Sequence, residues 1–425
     1  MKNSSPKKVI VIGGGPAGMM AAGMAARGGA QTILLEKMNQ TGRKLRITGK
    51  GRCNLTNVAP VSQFIEHFGK NGRFLRQSFA RFFSDELIAF FQQLGVKTTT
   101  ERGGRVFPAS ESGSEVVAAL LDWVKDCGVQ VVCGARAQNL IVRENRLAGL
   151  AVIKKNKKET LHFYANTILI ATGGKSYPGT GSTGDGYRLA KSVGHNIIPV
   201  KPALTPLEIA GEICPRLKGL KLRNVTAIVY AEEKKIGRNF GEMEFEDYGV
   251  TGPIILSLSR LVVDALKKYK NVVLSIDLKP ALDEKKLDSR LLRELDSSGK
   301  KDFFSMLTTL LPTSLIPICL ETIQIASNKQ CNQISANERK RLRNWLKNFT
   351  LPVTGFRPFS EALVTAGGVD LKQVNPRTME SRILKGLFFA GEILDLDADT
   401  GGYNLQAAFS TGYVAGVSAA DFVKE

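Results

Sequence analysis

The chain has no apolar run of the roughly 18 residues that a membrane-spanning helix requires, so no such span is expected. Its six cysteines (Cys53, Cys127, Cys133, Cys214, Cys319 and Cys331) include no C-x-x-C pair, and its three histidines (His67, His162 and His195) lie far apart. That spacing excludes the common zinc patterns, and no metal is expected. In a chain of this length the cysteines read as reduced thiols rather than a disulfide frame, which points to the cytoplasm. Met1–Lys8 is too short and polar for a secretory signal, and an apolar strand follows at once. Acid is the other shortage. The 39 Asp and Glu face 59 Lys and Arg, a formal charge of +20. An excess of that size points to a polyanionic partner, most simply nucleic acid, or to a solvated basic surface kept for solubility. It is uneven: Arg43, Lys44, Arg46, Lys50, Arg52, Lys70, Arg73, Arg76 and Arg81 are opposed over that stretch by Glu66 alone.

What is present is ordinary globular material, 425 residues with 43% hydrophobic and 23% charged, enough for two or three domains. Lys8–Ile12 is a β-branched run that meets glycines immediately. Pro16–Arg27 reads as a helix and Thr32–Glu36 as the next strand, a β-α-β unit. A basic, glycine-rich loop is expected over Asn39–Pro60, then amphipathic helices, one capped by Ser84. Val129–Thr172 alternates like a β-meander, with turns at Glu144-Asn145 and Lys155–Lys158, and ends in the buried strand Thr167–Ala171. The texture changes around Pro199–Pro206, where a domain boundary is expected. Strands and one helix follow to 280. From 281 to Phe349 the pattern is helical, with a capping box of Ser335 and Glu338 before a basic helix containing Arg339, Lys340, Arg341 and Arg343. An Ala-rich helix from about Asn404 closes the chain.

The opening strand and helix enclose Gly13-x-Gly15-x-x-Gly18. The first glycine permits a tight turn, the second admits a pyrophosphate to the backbone, and the third lets helix and strand pack closely. Pro16 and Ala17 open the helix, whose free N–H groups and positive dipole end suit phosphates. Glu36 closes the second strand, where an acid takes a ribose hydroxyl. A second run, Gly179-x-Gly181-x-x-Gly184, follows no strand directly and reads as a loop near the cofactor, so NAD(P)H would bind transiently without a Rossmann unit of its own. NAD and FAD both fit the first fingerprint taken alone. The segments ILIATGG (Ile168–Gly174) and LFFAGE (Leu387–Glu392) resemble, in order, the two returning strands of glutathione-reductase-type flavoproteins, which favours FAD.

The segments TGRKLRITGKGRCNLTN (Thr41–Asn57), GGKSYPGTGSTGDGY (Gly173–Tyr187) and GEILDLDADTGGYNLQAAFSTG (Gly391–Gly412) closely resemble the BaiN/RdsA-type FAD-dependent oxidoreductases. The resemblance covers about 1–200 and 355–425. It implies an α/β fold: a discontinuous Rossmann-type FAD domain (1–199 and 355–425) interrupted by a β-barrel-like insert (200–280) and a helical subdomain (281–354). It also implies that Gly13, Gly15, Gly18 and Glu36 hold the ADP half of FAD, with Lys37 beside the ribose and backbone near Ala137 at the adenine. Lys44 and Gly51, Arg52, Cys53 and Asn54 would lie along pyrophosphate and flavin, and Thr172 and Gly173 would pass near the cofactor. Gly391 and Glu392 would meet the ribityl-pyrophosphate region, and Gly402, Tyr403 and Asn404 would face the pyrimidine edge of the flavin. A helix N-terminus there stabilises the negative charge of reduced flavin. The implied chemistry is reduction of electron-poor C=C bonds, with hydride leaving flavin N5 and an acid protonating the neighbouring carbon. One branch of the family is associated with dihydrouridine in large-subunit ribosomal RNA, another with bile-acid enones. Cys53, between Lys50 and Arg52, is a candidate acid whose thiol the cationic neighbours would lower, or else a small thiol packed beneath the loop. Tyr403 is a second candidate donor. The charge favours an RNA substrate, contacted through Arg43, Lys44, Arg46, Lys50, Arg73, Arg76 and Arg81 and through the basic helix. The rival expectations are a reductase of small enones and a non-catalytic, flavin-containing RNA-binding or assembly factor.

Overall fold

A computed structural model describes residues 7–144, 146–154 and 160–424. The expected turn at Lys155–Lys158, Asn145, and most of the N-terminal segment lie outside the described residues. The chain divides into two compact units, 1–202 with 362–425, and 203–361.

The first unit is built on a five-stranded parallel sheet. Its spatial order is Leu387–Phe389, Thr167–Ile170, Lys8–Ile12, Gln31–Glu36, Gln130–Cys133. The central strand is buried from Val9 to Ile12, and Thr167–Ile170 is buried throughout, as strands covered on both faces must be. The opening strand pairs with Gln31–Glu36 on one side (Ile10 opposite Ile33) and with Thr167–Ile170 on the other (Ile12 opposite Ile170). The strand order therefore reverses between Lys8–Ile12 and Thr167–Ile170. Ligands of open α/β sheets bind beyond the carboxyl ends of strands at such a point.

The closing helix, Tyr403–Phe422, crosses the first helix, Pro16–Arg27, at very short range. A Cβ at Gly412 would lie 2.4 Å from the Ala17 carbonyl oxygen, and one at Gly416 2.3 Å from that of Ala21. Gln130–Cys133, expected within the meander, is instead the edge strand of the parallel sheet, and the meander proper is Ala135–Arg143, Arg146–Lys154 and Thr160–Tyr164. The loop expected over Asn39–Pro60 contains a helical turn, Arg43–Ile47, after Gly42 at φ 68°.

The second unit is a closed six-stranded antiparallel barrel with helices on one shared core. Its last strand, Phe349–Phe356, comes from beyond the helices and pairs with both Leu207–Ile209 and Val272–Asp277. The expected division into a barrel at 200–280 and a separate helical subdomain at 281–354 is thus not how this core forms. The helices are the connection between two neighbouring barrel strands, and Leu287, Leu342 and Trp345 share a core with Leu274 and Leu351.

Candidate active site

The glycine fingerprint lies where the strand order reverses. Gly13 has φ 108°, and a Cβ there would sit 2.4 Å from the Ala171 carbonyl oxygen. A Cβ at Gly18 would fall 1.8 Å from the Gly13 carbonyl oxygen. These two positions close the turn. Gly15 differs: it precedes the first helix in extended conformation, and a Cβ there would meet nothing within 4 Å. The first-turn amides of that helix, which have no intrahelical partner, open onto this free space. Glu36 lies at its edge, accepting from Gly14 N–H (2.7 Å) and Met38 N–H (2.8 Å). Burial, opposed by those amides, raises its carboxyl above the usual range.

The second glycine run covers the same edge. A Cβ at Gly181 would lie 3.0 Å from Met38 and 3.7 Å from Glu36 Oε1, and Gly184 caps the helix Asp185–Ser192. Asp185 accepts from Lys37 Nζ (2.8 Å) and Arg136 (2.7 Å). Burial works against its charge, but those two cations together hold Asp185 down to about 2. Lys37, placed beside the ribose by resemblance, is therefore half of a clamp joining the second strand to the glycine run. Ala137 is buried beside a β-bulge of the meander's first strand, next to Arg136.

At the other end of the fingerprint, Thr172 and Gly173 (φ 70°) follow the Thr167–Ile170 strand. Lys44 Nζ donates to Glu392 Oε2 and to Ser176 Oγ, each at 2.7 Å. Glu392 Oε1 accepts from Ser176 Oγ and Thr365 N–H, each at 2.8 Å. This network ties the helical turn Arg43–Ile47 to the turn at Gly391 (φ 77°). Ser176 lies inside the Gly173–Tyr187 segment but its role is not readable there, and Thr365 has no signature in the sequence; both become visible only through Glu392.

The segment Gly51–Asn57 meets the N-terminus of the closing helix. With its amide oriented to satisfy its neighbours, Asn54 donates to the carbonyls of Val106 and Thr56 and accepts from Gly402 N–H at 3.0 Å. Asn57 donates to the Gly401 carbonyl (3.0 Å). Arg52 turns away from this junction, pairing with Glu101 and Glu111 (2.7 Å to the latter) and lying over the Phe107 ring.

One expectation for this region needs correction. Cys53 is fully buried, and burial pushes its thiol up to about 12. Arg52 is committed to its own carboxylates, and Lys50, though close in sequence, does not offset the loss of solvent. Cys53 is thus a neutral thiol packed beneath the loop, not a lowered, reactive one. The Asn404 side chain grips the preceding loop, accepting from Ala398 N–H (2.9 Å) and donating to the Ala398 and Asp399 carbonyls, so only its backbone is left to face a ligand. The basic helix is largely neutralised within its own unit: Arg339 and Arg343 pair with Asp288, Arg343 also with Glu284, and Arg341 with Glu338. Lys340 has no such partner among the described residues. Arg43, Lys50, Arg73, Arg76 and Arg81 likewise make no side-chain ion pair among them, and the last four are exposed, whereas Lys44 is committed to Glu392 and Arg46 to Gln40 and the Thr41 carbonyl.

Tyr403, the first residue of the closing helix, is nearly buried. Its ring stacks on His67 (3.9 Å between centroids, 23°) and meets Phe64 edge-on at 4.7 Å. His67 Nδ1 is 2.9 Å from Asp399 Oδ2. Burial, then the Asp399 charge, raise the Tyr403 phenol above its usual value. Asp395 is held by Asn71 (2.9 Å), so the acids of the Asp395–Asp399 loop face different partners. Among the described residues no group of His, Cys, Asp or Glu is arranged to hold a metal. His67 carries no local signal in the sequence, because its partner stands 332 residues away.

These residues fit FAD. Gly15 leaves room where a diphosphate belongs, Glu36 lies at the end of the second strand, and the N-termini of the first and closing helices belong to the same unit. The fold and site define a FAD-dependent oxidoreductase. The chain belongs to the HI0933-like protein Rossmann domain family, whose model matches residues 7–418. It is 32% identical to the 3-dehydro-bile acid delta(4,6)-reductase of Clostridium scindens over 97% of this chain and 99% of that one. It is 27% identical to the ribosomal RNA dihydrouridine synthase of Escherichia coli K12 over 95% and 96%. The fold is shared with a flavocytochrome c3 fumarate reductase (TM-score 0.52, 18% identity, covering 100% of this chain and 80% of that one). No helix of the described residues is long and apolar enough to cross a membrane.

Proposed function

We propose that this flavoenzyme reduces an electron-poor carbon–carbon double bond, and that its substrate is a uridine of large-subunit ribosomal RNA, converted to dihydrouridine. When bound and reduced, FAD supplies a hydride from N5. The chain's own residues do the rest. Gly15 and the first helix would hold the diphosphate and Glu36 the ribose edge, with the Lys37–Asp185–Arg136 clamp fixing the end of the second strand beside them. The amides at Gly402–Asn404 would face the ring that gains negative charge on reduction, and Asn54 and Asn57 hold that turn in place. NAD(P)H is the proposed source of electrons, bound transiently.

The observation that carries the RNA reading is the exposed, unpaired cation set Lys50, Arg73, Arg76 and Arg81, in the same unit as the flavin cradle. A singly charged small substrate gives no reason for it, whereas a phosphate backbone does. A second reading, reduction of a small steroid-like enone, is favoured by the higher identity and near-complete coverage of the bile-acid reductase. Chemically reduced protein is to be mixed anaerobically with unmodified large-subunit ribosomal RNA and with a 4,6-unsaturated 3-oxo bile acid. A gain of two mass units on a uridine is expected. Reduction of the bile acid with no gain on any RNA fragment would hand the function to the second reading. Reoxidation by neither would remove both, leaving a non-catalytic RNA-binding flavoprotein to be tested by binding alone.

A further inference from the structure

At the head of the closing helix His67 is a polar side chain arranged to move a proton. Its Nδ1 is held by the Asp399 carboxylate at 2.9 Å, and its ring is fixed in plane by stacking on Tyr403. A carboxylate on Nδ1 favours the tautomer with the proton there and leaves Nε2 as the nitrogen that exchanges protons. Nε2 has no protein partner among the described residues, and the side chain keeps a third of its surface exposed. The two ends of the dyad belong to different parts of the chain: His67 ends the short helix Val61–His67, and Asp399 lies on the loop leading into the closing helix. Packing alone does not require this pairing, because Phe64 already covers the Tyr403 ring edge-on. The other candidate donors are poorly suited. Cys53 has no exposed surface, and Tyr403 is a weaker acid than a free phenol because burial and Asp399 both disfavour its anion.

We propose that His67, positioned by Asp399 and Tyr403, is the proton donor of the reductive step. The inference rests on the C=C reductase reading above. One carbon of the double bond receives hydride from the reduced flavin. The other receives the proton carried on Nε2 of the doubly protonated ring, which is left as the neutral Nδ1–H imidazole, and the π pair becomes the new C–H bond. The substrate gains two electrons at the expense of the reduced flavin, and the imidazole recovers its proton from water. Asp399 is a positioning residue: it holds Nδ1 and so keeps Nε2 turned toward the open side.

The test uses the full chain loaded with FAD and reduced with dithionite. The oxidant is whichever of the two probes, unmodified large-subunit ribosomal RNA or the 4,6-unsaturated 3-oxo bile acid, reoxidises the wild-type protein. His67→Phe keeps an aromatic ring against Tyr403 but carries no proton. It is expected to bind FAD with wild-type affinity and spectrum and to slow reoxidation by about 100-fold or more. His67→Gly should regain rate with added imidazole, and Asp399→Asn should lose about tenfold. The nitrogen-15 spectrum of the wild-type protein should show His67 protonated at Nδ1, a state that Asp399→Asn weakens. If His67→Phe loses FAD, rescue of His67→Gly decides the matter. A wild-type rate in His67→Phe, or no imidazole rescue of a His67→Gly protein that still binds FAD, overturns the dyad while leaving the reductase reading intact. A wild-type protein that neither probe reoxidises sinks the reductase reading, and the dyad with it.

Discussion

A side chain at Gly15 would point into open space, so its substitution separates cofactor binding from folding. Gly15→Val is expected to leave the melting temperature of the FAD-free protein nearly unchanged, because the backbone there is extended and suits a β-branched residue. It should weaken FAD binding by about tenfold or more by filling the diphosphate space, as fluorescence titration would show. Cys53 is expected to behave as packing. Cys53→Ala should keep reoxidation within about twofold of wild type and cost on the order of 1 kcal/mol of stability in chemical denaturation. With its thiol pushed up to about 12, the folded chain retains a proton that the unfolded chain releases near 9, so this residue's contribution to stability falls as pH rises from 9 to 12. Asp185 has the opposite sign. Its carboxyl sits at about 2 against an ordinary 3.8, so the clamp's contribution is full above about pH 4 and fades as pH falls toward 2. The melting-temperature deficit of Asp185→Asn should therefore shrink over that range.

At the scale of elements, the close crossing of the first and closing helices decides whether the two halves of the cradle face each other. Gly412→Val would drive a side chain into the Ala17 backbone. It should destabilise the protein by about 1–3 kcal/mol in denaturant unfolding, and FAD should be released at lower denaturant than in wild type as the N-terminus of the closing helix moves. The β-α-β opening is legible in the sequence because its signals are local: an apolar run, three glycines at fixed spacing, and an acid at the end of the next strand. The helical turn Arg43–Ile47 is not legible. It is one turn long, has no amphipathic repeat, and is fixed by Gly42 packing against Val117 and by the pairing of Lys44 with Glu392, 348 residues away. The barrel escapes a linear reading for a related reason. Its closing strand lies after the helices, and the order in which strands pair carries no periodicity.

For the whole molecule, the charge of +20 is not one patch. The cations at Arg339, Arg341 and Arg343 are spent on carboxylates of their own unit, whereas Lys50, Arg73, Arg76 and Arg81 are not. Changing Arg73, Arg76 and Arg81 together to Glu is expected to lower RNA affinity and flatten its logarithmic dependence on salt by about one unit for each phosphate no longer neutralised. FAD binding and reduction of the small enone should be unaffected. Arg339→Ala should instead lower stability, because it leaves Asp288 with one cation fewer, and should change the salt slope little. Filter binding across a salt series separates the two outcomes.

By itself the sequence determined that a dinucleotide turn opens the chain, that a flavin-type return follows, and that cation outweighs anion. These properties depend on neighbours a few residues apart, or on composition alone. The tertiary structure decided which charges are neutralised, which thiol is buried, and that His67 meets Asp399 beside Tyr403. A side chain's charge state and reach depend on the solvent and partners around it, and folding brings those partners from hundreds of residues away.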